Sequence, residues 1–179
     1  MKLGLVRHFK VDQRKNKFLT PNGFNQLMKE YDNCPVIPNE LIINQSEWDV
    51  CFCSTLPRAR KTAKTIFNKK IIETDLLVEV PVSSFTNRKI ILPLFLWHIG
   101  ARLAWFKAHK SQKESINQTR ERIDKFYQLI KGSGYRNILI VSHGYFLNIF
   151  YREMKKKGFT GRVDTNIKNG YLYTIVKQS

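Results

Sequence analysis

The sequence predicts an α/β fold, a three-layer α/β/α sandwich around a mostly parallel central sheet. Short apolar runs of strand length alternate with segments of helical period, the pattern of strands joined by crossover helices. The run Ile138-Leu139-Ile140-Val141 is continuously apolar, as a strand covered on both faces must be. No repeat, low-complexity tract or Gly/Ser linker divides the chain, so its 179 residues read as one domain.

In chain order, Leu3 to Val6 reads as a short buried strand ending at Arg7-His8. Thr20-Pro21 opens a helix, with Pro at the first helical position, where its missing N–H costs nothing, and with Phe24, Leu27 and Met28 following. Asp49 to Ser54 is the second strand and stops at a Ser-Thr helix-start signal. Leu56 to Phe67 is a helix with Ala59, Ala63, Ile66 and Phe67 at helical spacing, and Ile71-Ile72 is a weak third strand. Leu92, Phe95, Leu96, Ile99, Leu103 and Phe106 recur at steps of three and four, which describes an amphipathic helix. Ser115 to Ile130 is a further helix, with Ile116, Ile123, Phe126, Tyr127 and Ile130 facing inward. Asn137 to Ser142 is the clearest strand, Tyr145 to Met154 the helix after it, and Tyr171 to Val176 a last strand at an edge.

Composition narrows the function classes. Lys and Arg number 31 against 14 Asp and Glu, a formal charge of +17, which points to an acidic partner or substrate where it does more than keep the protein soluble. Nucleic acid is not expected, because no recognised motif and no regular aromatic–basic interleaving accompanies the charge. Cys34, Cys51 and Cys53 cannot all pair, which excludes the small disulfide-rich class. Cys51 and Cys53 share one face of a strand as small buried residues, and no second Cys/His pair supports a metal site. The opening residues lack the apolar run of a signal peptide, and Ile90 to Phe106, the nearest approach to a membrane span, is broken by Pro93, His98 and Arg102. A cytoplasmic protein without a transmembrane segment is expected. Within that segment Phe95, Trp97, Trp105 and Phe106 read as core. A lid over the site is one alternative. A membrane-surface role is another, since Lys107, Lys110 and Lys113 follow.

In a parallel sheet the ligand sits at the carboxyl ends of the strands. That rule singles out Arg7-His8, Ser54-Thr55 and Ser142-His143, with Arg58 one helical turn beyond Ser54. A lone His after a strand is ordinarily structural; two His and two Arg converging on one sheet edge are not. Cations at strand-to-helix turns suit a phosphate, which helix N-termini also attract, and Arg grips its oxygens bidentately. A neutral imidazole among them is a competent nucleophile toward phosphorus.

These residues belong to longer blocks. Leu5-Val6-Arg7-His8 resembles the opening of the histidine phosphatase superfamily, the phosphoglycerate-mutase-like clan. Leu19-Thr20-Pro21-Asn22-Gly23-Phe24-Asn25-Gln26 is similar to its L-T-x-x-G-x-x-Q block, and Ser54-Thr55-Leu56-Pro57-Arg58-Ala59-Arg60-Lys61-Thr62-Ala63 to its S-x-L-x-R-A-x-x-T-A block. Leu77-Val78-Glu79 resembles L-x-E, Glu114-Ser115 with Arg122 a late E-S…R helix, and Val141-Ser142-His143-Gly144 the closing S-H-G. The six blocks stand in the family's order. The resemblance implies a phosphatase that hydrolyses a phosphomonoester through a phosphohistidine on His8. It implies that Arg7, Arg58 and His143 bind the phosphate and that Glu79 is the acid, then the base, so that His8 and Glu79 are catalytic. It implies no cofactor and no metal. The substrate would be a phosphorylated small molecule or an acidic phosphoprotein, and the short chain favours a phosphatase over a mutase. Residues 1–179 would form one such domain, with a lid or cap insertion around 80–113.

Departures from the pattern give the alternative. Phe9 stands where the family has Gly, which tolerates positive φ and close backbone approach. Arg14 stands where an Asn is expected, with Asn16 two residues on, and Val80-Pro81-Val82-Ser83-Ser84-Phe85 replaces a small-aromatic-Gly segment. The alternative function is a non-catalytic module that binds a phospho-ligand or polyanion on the same fold. Arg14, Lys15 and Lys17 with Lys107, Lys110 and Lys113 would make a basic collar at the rim.

Overall fold

A strand covered on both faces has no polar positions to spare, and the computed structural model places two such strands at the centre of the sheet. It describes residues 1–12, 18–37 and 39–178. The elements are β1 (Lys2–Arg7), β2 (Phe18–Leu19), α1 (Pro21–Asn33), β3 (Val50–Ser54), α2 (Pro57–Ile66), β4 (Ile71–Thr74), β5 (Leu92–Pro93), α3 (Leu94–Phe106), α4 (Ile116–Gly132), β6 (Asn137–Ser142), α5 (Gly144–Lys156) and β7 (Leu172–Val176). The main sheet runs β4-β3-β6-β1-β7. Its first four strands are parallel, and β7 pairs antiparallel with β1 at the edge. All of β3 is buried, as is all of β6 after Asn137.

Alternate residues feed two cores. Leu3, Leu5, Phe52, Ile138 and Ile140 meet Phe126 and Ile130 of α4 and Phe146 and Phe150 of α5. Val6, Cys51, Cys53, Leu139 and Val141 meet Ala59, Ala63 and Ile66 of α2 and Trp48. The sandwich and its mostly parallel sheet are those expected. Burial pushes the Cys53 thiol up to about 11 and that of Cys51 higher still, as befits inert packing residues. Register levels the strand ends: Arg7 lies beside Ser142, and Cys53 beside Val141. The His8 N–H extends that ladder to the Ser142 carbonyl at 2.9 Å. Three strand-to-helix turns therefore open on one edge.

A third cluster lies apart from both cores. Leu19, Phe24 and Leu27 pack against Trp97 and Ala101 of α3, and the two-residue strands β2 and β5 pair beside them. The helical stripe expected in the sequence is real, but it faces the other way. Leu92 belongs to β5, while Phe95 and Phe106 are each 61% exposed, Leu103 57% and Ile99 52%. Trp97 and Trp105 are core as expected; Phe95 and Phe106 are not.

The face of α3 that goes inward sets Trp97 and Trp105 among small residues that permit close approach. A Cβ on Gly100 would run into the Phe85 ring. The Trp97 ring lies 5.6 Å from that of Phe24, and its Nε1–H donates to the Leu19 carbonyl at 2.9 Å. Two indoles with satisfied N–H groups outweigh the branched residues on the other side. No helix among the described residues is long and apolar enough to cross a membrane. Arg14, Lys15, Asn16 and Lys17, the rim residues expected from the sequence, lie outside the described residues.

Candidate active site

The turn after β1 holds Arg7 and His8. His8 is 2% exposed, and its Nδ1 lies 2.6 Å from the Phe9 carbonyl. A carbonyl only accepts, so Nδ1 carries the proton and Nε2 keeps its lone pair. Burial, reinforced by the Arg58 guanidinium and then by Arg7, pushes His8 down to about 3, so the ring is neutral near pH 7. Arg7 donates from Nη1 to the Ile167 carbonyl at 2.8 Å. Its Nε is buried with no partner among the described residues. A buried donor left unmade is costly.

The turn after β6 brings His143, whose ring lies 5.1 Å from that of His8. Its Nδ1 accepts from Arg58 Nε at 3.2 Å. Its Nε2 lies 2.8 Å from Ser54 Oγ, and with Nδ1 occupied as an acceptor it is Nε2 that donates. Burial, then Arg58, holds this imidazole well below its ordinary value too. The next residue must be small: a Cβ on Gly144 would lie 2.9 Å from the Arg7 guanidinium carbon. Arg58, in the first turn of α2, is 2% exposed. Its Nη1 donates to Asp32 Oδ1 at 2.8 Å, and the Tyr31 ring lies beneath it at 4.9 Å. Arg7, His8, Arg58 and His143 are thus brought together.

Glu79 reaches the same edge from the side. Its Oε1 accepts from Phe146 N–H at 2.8 Å and Val80 N–H at 2.9 Å, and its Oε2 from Tyr145 N–H at 3.3 Å. It closes the first turn of α5 just beyond His143. Arg122 fixes this loop, forking onto Glu114 at 3.2 and 3.1 Å and donating to the Leu76 and Val78 carbonyls. A cavity of about 840 Å³ opens in front, lined by Arg58, Glu79, Asp32, His98 and Arg102. His8 and His143 are not among its lining residues.

Phe9 stands where the family has Gly, a residue that tolerates positive φ and close backbone approach. Among the described non-glycine residues only Ala108 has positive φ, so the position does not require glycine. The Phe9 ring, 1% exposed, is packed into the core beneath the sheet, and its N–H donates to Thr62 Oγ1 at 2.9 Å. Its backbone, not its side chain, faces the site.

Sequence reasoning missed the support for these residues. Asp32 pairs with Arg58, Asn169 Nδ2 donates to the His8 carbonyl at 2.7 Å, and the Gly170 N–H donates to the Arg7 carbonyl at 2.9 Å. Each arrives from far along the chain and carries no local signal. Arg102, read only as a break in an apolar run, donates to the Val80 carbonyl at 3.2 Å and lies over the Tyr145 ring at 3.6 Å. Its position one and two turns after His98 and Leu94 was the available clue.

Comparison with known proteins bears on the family and the fold. The sequence profile of the histidine phosphatase superfamily (branch 1) matches residues 40–178. No curated protein matches the chain. Among solved structures, the product of open reading frame Rv3214 of Mycobacterium tuberculosis aligns at 18% identity with a TM-score of 0.55, over 97% of this chain and 89% of that one. A point mutant of the phosphoserine phosphatase of Entamoeba histolytica, in complex with phosphoserine, aligns at 19% identity with a TM-score of 0.54 over the same shares of the two chains, 97% and 89%. The alpha-ribazole phosphatase of Shigella flexneri aligns at 20% and 0.50, again over 97% and 89%. At these identities the structures speak for the fold.

Proposed function

The chain belongs to branch 1 of the histidine phosphatase superfamily, and from that premise we propose that it hydrolyses a phosphomonoester through a phosphohistidine on His8. The observation that carries the reading is a buried, neutral His8 with Nε2 as its lone-pair nitrogen, held so by burial and by the Arg58 and Arg7 guanidinium groups. Nε2 attacks phosphorus, the N–P bond forms, and the P–O bond to the leaving group breaks. The ring gains a positive charge, which its Nδ1–H shares with the Phe9 carbonyl. Glu79 gives its proton to the leaving oxygen. Water then attacks phosphorus, its proton goes to Glu79, the N–P bond breaks, and His8 returns neutral.

Arg7 and Arg58 bind the phosphoryl oxygens. Arg58 has Nε on His143 and Nη1 on Asp32, so Nη2 is the donor it brings. For His143 to hold the same phosphate, its Nε2–H must leave Ser54 Oγ. The substrate class is a phosphorylated small molecule or an acidic phosphoprotein, as the net charge of +17 favours. Residues around 80–113 serve as the cap over the cavity.

The non-catalytic reading draws on one observation, that His8 lies behind the cavity rather than in its lining. A single experiment separates the two. Brief incubation with a ³²P-labelled monoester should leave one phosphoryl group per chain, labile to acid and stable to base. His8→Ala should abolish the label and lower turnover by on the order of 10⁴-fold or more. Turnover that survives in a folded His8→Ala preparation sinks the mechanism, while phosphate binding without label establishes the module.

A further inference from the structure

The side of α3 away from the core is more apolar than a free surface ordinarily is. Phe95, Ile99 and Leu103 follow at steps of four and Phe106 three later, so they form one stripe along the helix, and all four are more than half exposed. Ile91, 66% exposed, precedes the stripe, and Phe18, 64% exposed, is paired opposite Pro93 just before the helix. A shallow groove of about 430 Å³ runs between Ile99, Leu103, Phe106 and Tyr145. Contiguous exposed apolar surface of this kind marks an interaction site.

Charge says what it meets. From Val80 to Lys113 there is no Asp or Glu, while Arg88, Lys89, Arg102, Lys107, Lys110 and Lys113 carry six positive charges. Arg88 and Lys89 stand before the stripe and Lys107, Lys110 and Lys113 after it, and all five are exposed. None of the five takes part in an ion pair among the described residues. An apolar stripe with cations at both ends, on a helix of 13 residues too short to span a bilayer, is built to lie in a membrane interface.

We propose that the outer face of α3 docks the protein on an anionic bilayer, with Phe95, Ile99, Leu103 and Phe106 among the upper acyl chains and the flanking basic residues on lipid phosphates. The adjoining face of the same helix carries Leu94, His98 and Arg102 into the cavity wall, so docking sets the cavity beside the headgroup layer. The proposal concerns location and does not depend on the chemistry at His8.

The full chain is sedimented with vesicles of phosphatidylcholine alone and of phosphatidylcholine mixed with phosphatidylglycerol. Binding is expected only to the anionic vesicles and should weaken as salt rises. F95S/I99S/L103S/F106S, whose sites are all exposed, should lower the partition coefficient by about a hundredfold or more. K107Q/K110Q/K113Q should lower it about fivefold per residue, while K61Q/K64Q/K131Q, on α2 and α4, should leave it within about twofold. Three results overturn the proposal. One is no binding to anionic vesicles at low salt. Another is equal losses in the two lysine triples, which assigns binding to net charge alone. The last is a wild-type dimer in sedimentation equilibrium that the stripe variant lacks, which gives the stripe to a second copy.

Discussion

The sheet edge and the outer face of α3 invert the usual rule in opposite senses. At the edge, Arg58, His8 and His143 are almost wholly buried, and Arg7 carries a buried donor that no atom of the described residues satisfies. On α3, phenylalanine, isoleucine and leucine stand in solvent while Trp97, Ala101, Ala104 and Trp105 are inside. Neither arrangement is what stability alone selects, since buried charge and exposed apolar surface both work against folding. The edge offsets its cost locally, through Asp32, the Phe9 and Ile167 carbonyls and Ser54. The stripe on α3 has no such local offset. A site that offsets all but one buried donor leaves room for a small acceptor, whereas an unpaired apolar stripe calls for an extended partner.

The largest effects should come from the buried half of this comparison. Arg58→Ala removes a donor from every phosphoryl oxygen pattern alike, so kcat/KM should fall about 10²–10³-fold whatever the leaving group. Glu79→Gln should behave differently. Alkyl phosphates, whose leaving oxygen needs a proton, should lose about 10²-fold or more, and p-nitrophenyl phosphate much less. Steady-state kinetics over a leaving-group series reads the contrast. Equal losses across the series for Glu79→Gln would reduce that residue to the cap of α5, which it already is in the structure.

A smaller effect follows from burying imidazoles among guanidinium groups. His8 has an ordinary value of 6.5 and is pushed down to about 3 by burial and Arg58, so between those limits the unfolded chain binds more protons than the folded one. Stability therefore rises with pH through this window and is lost as pH falls from about 6.5 toward 3, by on the order of a few kcal/mol. His143 acts in the same direction. Urea midpoints should drop between pH 7 and pH 5, and the drop should shrink in His8→Gln, with His143 supplying the remainder. An unchanged pH slope in His8→Gln would mean that its ring is hydrated in solution.

The two regions were not equally legible in the sequence. Strand-to-helix turns are local objects: four apolar residues ending at Ser142-His143 announce both a buried strand and where it stops, and Arg7, Arg58 and His143 converge because register levels parallel strands. The stripe on α3 was legible as a period and not as a direction. Periodicity shows that a helix has an apolar face, and here the opposite face, through Trp97 on the Leu19 carbonyl and Gly100 against Phe85, won the core. Both contacts join distant segments, as does Asp32 to Arg58. Phe9 shows the same limit in reverse, since a residue that departs from the family's glycine is a core residue whose carbonyl orients His8.

The smallest expected effect tests the exposed half directly. If the stripe is free in the isolated protein, Ile99→Gln and Leu103→Gln remove no core contact and should change stability by within about 0.5 kcal/mol, with turnover of a soluble monoester unaltered. Trp97→Ala, two residues from Ile99 on the buried side, empties a site stacked between Phe24 and Phe85 and should cost about 3–5 kcal/mol. Chemical denaturation of the three variants makes the comparison in one experiment, with the midpoint as readout and the slope as a check that the denatured state is unchanged. A loss above about 1 kcal/mol for Leu103→Gln at dilute protein concentration would place that side chain in a packed environment. The contrast between buried charge at the sheet edge and exposed apolar surface on α3 would then fail at α3 and hold only at the edge.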